Sequence, residues 1–416
     1  MQKKIIVYEN FSSEKPKILG LLYVDAVRGK EQYSFEYTPE WLKSNSGRCT
    51  LDPDLSLYKG RQFPIDKNAF GLFADSSPDR WGRMLMDRRE RFLADKENRK
   101  PRKLTNSDYL LGVYDDTRMG AIRFKLDEAG SFLADDQNEA VPPWTTLRTL
   151  EEASRRFENE GSVMDERWLN QLLKPGSSLG GARPKATVID PEGNLWIAKF
   201  PSRHDEYNIA AWEKVAHDLA ELCGLNVPPA KLETFSSLGG TFLVRRFDRE
   251  RNRRIHFASA MTMLGRTDGS SAEDGASYLD LVSFLRANGA APKEDMFELW
   301  KRVVFSIAIS NTDDHLRNHG FILTGKGWRL SPLYDVNPVP YGDSLSLNID
   351  ENNCDMSMEL AIDTAAYFGI APPQAEATVQ RICDLVKDNW ERMAEGNGIS
   401  RGTIEYMRPA FAACYS

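Results

Sequence analysis

Near-continuous runs of β-forming apolar residues over 4–8 and 18–24, and alternation of polar and aromatic residues over 32–37, predict three short N-terminal strands. Leu51-Asp52-Pro53-Asp54 reads as a turn. Ser77-Pro78-Asp79 then caps a helix whose apolar positions are Trp81, Met84, Leu85 and Phe92. A proline at the helix start lacks only an N–H that the first turn leaves unused. Residues 105–113 follow as a helix and 119–124 as a strand. From 130 to 144 the periodicity fades into an acidic stretch carrying Gly, Ser and Pro, which marks a boundary or surface linker.

Beyond it, residues 147–158 and 164–173 read as helices, and a run of small residues over 176–185 reads as a loop. Strands over 186–189 and 195–200, joined by a turn at 190–194, form a hairpin. A helix over 206–223 spaces Ile209, Trp212, Val215, Ala216 and Leu219 on one face, and Gly224 is placed to end it. Strands are expected at 230–235 and 241–247. After Ala258 the pattern is chiefly helical, with helices over 278–288, 295–310 and 373–393. No internal repeat or heptad run interrupts it. The expected class is α+β, with a mixed α/β domain over 1–135, a second sheet-containing unit over 145–257 and a mainly helical unit over 258–416.

Composition changes this picture little. A chain of 416 residues suits two or three packed units. No run approaches the roughly 20 apolar residues of a membrane span, so a cytoplasmic protein with no membrane partner is expected. The five cysteines, at 49, 223, 354, 383 and 414, form no CxxC pair and read as reduced bystanders. A net charge of -7 gives no global attraction to nucleic acid. Two basic clusters, 79–103 and 245–254, are surfaces for an acidic partner or phosphate backbone, or else solvated faces.

The chemistry concentrates after the helix that ends near Ser310. The segment Asn311-Thr312-Asp313-Asp314-His315-Leu316-Arg317-Asn318-His319-Gly320 precedes a hairpin, 321–323 with 328–330, and the chain then reaches Leu333-Tyr334-Asp335. The hairpin brings Asn318 toward Asp335. A carboxylate five residues before an Asn, with a second Asp beyond a hairpin, supplies an orienting base and two hard oxygen ligands in the order that protein kinases use. Alone the spacing is weak, because Asp and Asn also cap helices and fill turns. His315 and His319 lack the Glu of a zinc-enzyme arrangement, and His315 reads as an organiser of the loop. Upstream, small residues over 177–185 allow close backbone approach to phosphate. Lys199 ends a strand, and Glu213 lies in the next helix, the kinase order of lysine and glutamate.

Taken in order, these segments resemble the HipA family, the serine/threonine kinase toxins of bacterial type II toxin–antitoxin systems. The resemblance covers nearly the whole chain. It is carried by residues 70–82 (FGLFADSSPDRWG), 119–124, 176–185, 197–200, 246–249 and 311–318, and by Leu333-Tyr334-Asp335. It implies a HipA/protein-kinase-like two-lobed fold, ATP and Mg2+ as cofactors, and phosphorylation of a Ser or Thr on a bacterial protein. On that resemblance Asp313 orients the acceptor hydroxyl, Arg317 helps neutralise phosphate, and Asn318 and Asp335 hold magnesium. Lys199 anchors ATP with Glu213 behind it, while Gly180, Gly181, Lys185 and His315 belong to the nucleotide site. Ser178 takes the autophosphorylated regulatory position, with Ser177 adjacent. Where the best-known members have Gly-His after the catalytic Asp, this chain has Asp314-His315. The resemblance further implies a small HipB-like helix-turn-helix antitoxin, operator DNA reached through that complex, and substrates that in some members include an aminoacyl-tRNA synthetase. Two other functions suit the same residues: a small-molecule kinase of related fold, and a catalytically weak transcription-regulatory component.

Overall fold

The computed structural model describes residues 2–44, 50–133, 141–159, 172–173, 181, 183–251 and 253–415. Most of the expected helix over 164–173 and of the loop over 176–185, including Ser177, Ser178 and Gly180, lies outside the described residues. The chain forms two compact units, each assembled from two stretches of sequence. The first combines Met1–Arg203 with Arg245–Ala258, the second His204–Val244 with Ser259–Ser416.

In the first unit, β1 (Lys3–Glu9), β2 (Lys17–Val27), β3 (Lys30–Tyr37) and β4 (Ile122–Lys125) form an antiparallel sheet in the order β3-β2-β1-β4. Ile5, Val7, Leu22 and Phe35 are fully buried on its covered face. Gly20 is required in β2, because a Cβ there would sit 2.3 Å from the Phe35 ring and from the Glu36 carbonyl. The strand expected from Met119 begins only at Ile122. Gly120 takes a left-handed φ of 73°, and its N–H donates to Asp248 Oδ2 at 2.8 Å rather than to a ladder.

The helix Arg80–Lys96 starts as expected, with Asp79 Oδ1 accepting from the Gly82 N–H at 2.8 Å. Trp81 packs edge-on against Phe157 of the helix Leu147–Asn159, ring centroids 5.0 Å apart, and its Nε1–H donates to the Lys185 carbonyl. Lys185 opens β5 (Lys185–Ile189), which pairs with β6 (Leu195–Lys199) through the expected turn. The returning stretch 245–258 is an internal girder. Arg246, Asp248 and Arg254 are buried, and Arg246 donates to the Thr117 and Arg118 carbonyls. Arg254 pairs with Asp115 at 2.9 Å. These arginines of the second basic cluster therefore face the protein rather than an external anion.

The second unit surrounds the helix Pro292–Ala308, whose residues from Arg302 to Ala308 are all buried. A helix apolar on all sides belongs in a core. It starts earlier than expected, with proline at the first turn. The helices Tyr278–Asn288, Met358–Thr364 and Pro372–Gly396 and the hairpin Gly320–Thr324/Gly327–Leu330 belong to the same unit. The helix Ile209–Leu222 begins three residues later than expected, where Asn208 Oδ1 accepts from the Ala211 N–H. Its Trp212 stacks on Trp390, which stacks in turn on Phe411 with centroids 4.2 Å apart. Among the described residues no helix is long and apolar enough to cross a membrane.

Candidate active site

The loop at 310–319 is shaped by the way the central helix stops. Ser310 adopts a left-handed φ of 50°, the Asn311 N–H reaches back to the Ser306 carbonyl at 2.8 Å, and the Ser310 N–H reaches Ile307. This is the glycine-type helix ending built on a serine, and it turns the chain sharply out of the core. Asn311, itself buried, accepts the Asn337 N–H, and the Val339 N–H donates to the Ser310 carbonyl. Tyr334 Oη donates to the Arg317 carbonyl at 2.8 Å. Residues 334–339 are thus laced to 310–317, which carries Asp335 alongside the loop. Gly342 also backs the loop, since a Cβ there would lie 2.2 Å from Thr312 Cγ2.

Within the loop two adjacent acids have opposite surroundings. Asp313 is exposed, whereas Asp314 is buried at 2% exposure. Asp314 Oδ2 accepts from Tyr278 Oη at 2.5 Å and from Ser306 Oγ at 3.3 Å, and its Oδ1 lies 2.9 Å from His319 Nε2. Burial pushes the Asp314 carboxyl up, but His319 and these hydrogen bonds outweigh it and hold it below the ordinary carboxylate value. Burial and the Asp314 charge push the Tyr278 phenol up, so it remains an O–H donor. Asp314 is therefore a structural anion that pins the loop from inside.

Asp313 is shifted the other way. Partial loss of hydration raises its carboxyl, and the Asp335 and Asp314 charges add to the rise, while His315 opposes it. His315 Nε2 lies 3.9 Å from Asp313 Oδ1. Asn318 is buried, and its Nδ2 donates to the Asp313 carbonyl at 2.8 Å. Asp335 holds a φ of 58°, uncommon for a residue with a Cβ and of the kind that clusters at functional sites. The structure thus gathers Asp313, His315, Asn318 and Asp335 within one unit. Arg317 is exposed and pairs with Asp268 at 3.3 Å.

The remaining candidate residues divide between the units. In the first, Lys185 and Lys199 are direct cross-strand partners. Lys185 Nζ is buried, 2.9 Å from Asp79 Oδ2 and 3.3 Å from the Gly181 carbonyl. Gly181 has a left-handed φ of 73°. In the second, Glu213 is buried beside Trp212 on the helix Ile209–Leu222. Ser178 and Gly180 lie outside the described residues. The sequence pattern gave no hint of Tyr278, whose partner Asp314 lies 36 residues further on. The only local signal was an unexplained second acid beside Asp313.

The donor set suits a hard divalent cation: the Asp335 and Asp313 carboxylates sit close enough to raise proton affinity, and the Asn318 amide is oriented by its Nδ2 contact. A family model described as the HipA-like C-terminal domain matches residues 177–390, just over half of the chain. The serine/threonine-protein kinase toxin HipA of Shewanella oneidensis is 28% identical over 309 residues, covering 64% of this chain and 69% of that protein. A putative kinase of Haemophilus influenzae is 26% identical over 189 residues, covering 40% of this chain and 54% of that one. The putative kinase Y4dM of Sinorhizobium fredii is 25% identical over 217 residues, covering 48% and 51%. Among solved structures, the complex of Shewanella oneidensis HipA with HipB and its operator DNA contains a chain that superposes with a TM-score of 0.69 at 18% identity. The superposition covers 96% of this chain and 95% of that one. The mixed helical and sheet fold expected from sequence is that of HipA.

Proposed function

The chain belongs to the HipA-like C-terminal domain family, and from that premise we propose that it is an ATP-dependent serine/threonine protein kinase, the cytoplasmic toxin of a type II toxin–antitoxin module. The observation that carries the reading is the exposed Asp313, its carboxyl shifted upward by partial burial and the nearby Asp335 charge, with Asn318 clamped to the same loop. Phosphoryl transfer asks little covalent chemistry of a protein; it needs an acceptor hydroxyl held in line and charge neutralised around the phosphate. Asp313 orients the Ser or Thr hydroxyl and accepts its proton, a role helped by its raised proton affinity. Asn318 and Asp335 hold Mg2+, which when bound neutralises the phosphate oxygens. Lys199 anchors ATP, and Arg317 offers a cation at the edge of the loop.

Lys185 has a second role on this reading. Its ion pair with Asp79 fixes the start of β5, and hence the strand opposite Lys199. Ser178 is the proposed autophosphorylation site, on the family resemblance alone. A phosphate there adds roughly -1.5 to -2 charges close to a nucleotide that is itself anionic. The protein partner is a HipB-like antitoxin, and operator DNA is reached through that complex. The net charge of -7 and the inward-facing Arg246 and Arg254 support indirect rather than direct DNA binding.

The test is transfer from labelled ATP with Mg2+ in a bacterial lysate, comparing the parent with Asp313→Ala and mapping the labelled proteins. Loss of labelling in the variant, by about two orders of magnitude or more, is expected. Equal labelling by both proteins removes Asp313 from its role. Transfer to a metabolite without protein labelling makes the chain a small-molecule kinase.

A further inference from the structure

We propose that the helix Ile209–Leu222 carries a divalent-cation site made by His217, Asp218 and Glu221, built from none of the residues of the Asp313 loop. One ligand atom from each lies within 4.8 Å of the others. His217 and Glu221 are four residues apart and share a helix face, and Asp218 adjoins His217. This spacing alone would mean little on a helix rich in charge.

The imidazole gives the second, independent indication. The His217 side chain is only 10% exposed, and its Nε2 lies 2.6 Å from the Pro228 carbonyl oxygen. A carbonyl can only accept, so Nε2 carries the proton. Nδ1 is then the ring atom with a free lone pair, and it faces Asp218. It is buried and makes no aligned hydrogen bond, although Asp218 Oδ1 is 3.5 Å away. With its proton on Nε2, the ring presents the Nδ1 lone pair beside a carboxylate, a juxtaposition that a cation bound between them stabilises. An N–H donated to a backbone carbonyl is also the outer contact that orients metal-binding histidines. Phe242, with its ring centroid 6.1 Å from the imidazole, walls the other side.

Two carboxylates and one imidazole suit Zn2+ or Mn2+ rather than the softer, thiolate-preferring ions. Bonds of about 2.0–2.1 Å to zinc place ligand atoms roughly 3.3 Å apart. The His217–Asp218 pair is already near that separation, and the exposed Glu221 supplies the movement. Lys214 Nζ, 2.6 Å from both Asp218 oxygens, is the competing cation. The metal must displace it from one oxygen, so binding is moderate.

The experiment is a Zn2+ titration of the full chain by calorimetry, with millimolar Mg2+ present to occupy the Asp313 loop, followed by Co2+ as an absorbing probe. One Zn2+ is expected to bind. The binding should persist in Asp313→Asn and fall by roughly ten-fold or more in both Glu221→Gln and His217→Gln. Glu221 is exposed, so its variant keeps the fold even if the buried His217 variant does not; circular dichroism distinguishes these cases. Absence of Zn2+ binding, or binding equally tight in Glu221→Gln, overturns the proposal. So does an NMR spectrum in which the His217 ring resonances are the same in the metal-free and Zn2+-treated protein, because Nδ1 is then not a ligand. None of these outcomes depends on the kinase reading.

Discussion

Asp313 and Asp314 are adjacent acids in one loop, yet their surroundings are opposite. Asp314 is a buried anion with three partners, Tyr278, Ser306 and His319. Truncating it strands the Tyr278 hydroxyl and the His319 ring in a dry core, so Asp314→Ala should lose about 3 kcal/mol or more in urea unfolding. Tyr278→Phe removes one donor and should cost about 1–3 kcal/mol, with the acidic flank of the stability profile moved to higher pH. The sign follows from linkage: the folded Asp314 value is depressed, so its contribution is present above the ordinary carboxylate value and is lost as pH falls through the folded one. Asp313 behaves inversely. Its value is raised, so stability is lost as pH rises through it, and Asp313→Asn should be at least as stable as the parent at neutral pH while losing transfer. A chemical melt and a transfer assay on the same two variants separate these roles. If Asp313→Asn melts like Asp314→Ala, the division between working and pinning acid is wrong.

Among the elements, the helix Arg80–Lys96 and the β5–β6 hairpin depend on one another through Asp79, which caps the helix with one oxygen and holds Lys185 with the other. Asp79→Ala removes both functions and leaves the buried ammonium short of its carboxylate. A loss of about 3–5 kcal/mol is expected, with the cap accounting for about 1 of it. Lys185→Met leaves the cap intact and should cost less. Adding it to Asp79→Ala should recover part of the loss, a coupling that a double-mutant cycle measures directly; strict additivity would show that the pair does not hold the hairpin. Elements with a local signal were legible from sequence: the helix Tyr278–Asn288 was read to the residue, and β1 to β3 to within a few. What failed needed distant partners. The strand at 119 is cut short by the bond from Gly120 to Asp248, and the two short helices Met358–Thr364 and Arg401–Met407 offer too few turns for a periodic signal. The site divides similarly. Spacing singled out Asp313, Asn318 and Asp335 as candidates, which the structure gathers in one unit, whereas the buried Asp314 is held by Tyr278, and nothing in the local sequence distinguishes one acid from its neighbour.

At the scale of the whole molecule, neither unit is a continuous piece of chain. The first unit recovers residues 245–258 only after the chain has built 204–244 of the second. That return is chemically demanding, because Asp248 is fully buried among cations. Arg246 and Arg249 lie 2.7 and 2.6 Å from its Oδ2, and the Gly120 N–H donates to it. Burial pushes the Asp248 carboxyl up, but the two guanidinium groups hold it far below the ordinary carboxylate range. On the other side, Asp115 is fixed by Arg123 of the first stretch and by Arg254 of the second, so a chain ending at Arg203 keeps only one of its two guanidinium partners. The Arg118 carbonyl would likewise lose the donors supplied by Arg246 and Arg249, and the Leu195 carbonyl would lose the Arg246 N–H. Each buried group left so costs about 1–3 kcal/mol, and the three together cost about 3–9, comparable with the 5–15 kcal/mol that stabilises a typical domain. A fragment of residues 1–203 should therefore lack a cooperative thermal transition, and the same fragment with 245–258 joined through a flexible linker should regain one. Equal cooperativity in both would mean that the first unit folds before the girder returns. Within the intact chain, Asp248→Asn tests the same dependence without truncation: it keeps the shape and removes the charge that two buried guanidinium groups require, and a fall of about 3–5 kcal/mol in unfolding free energy is expected.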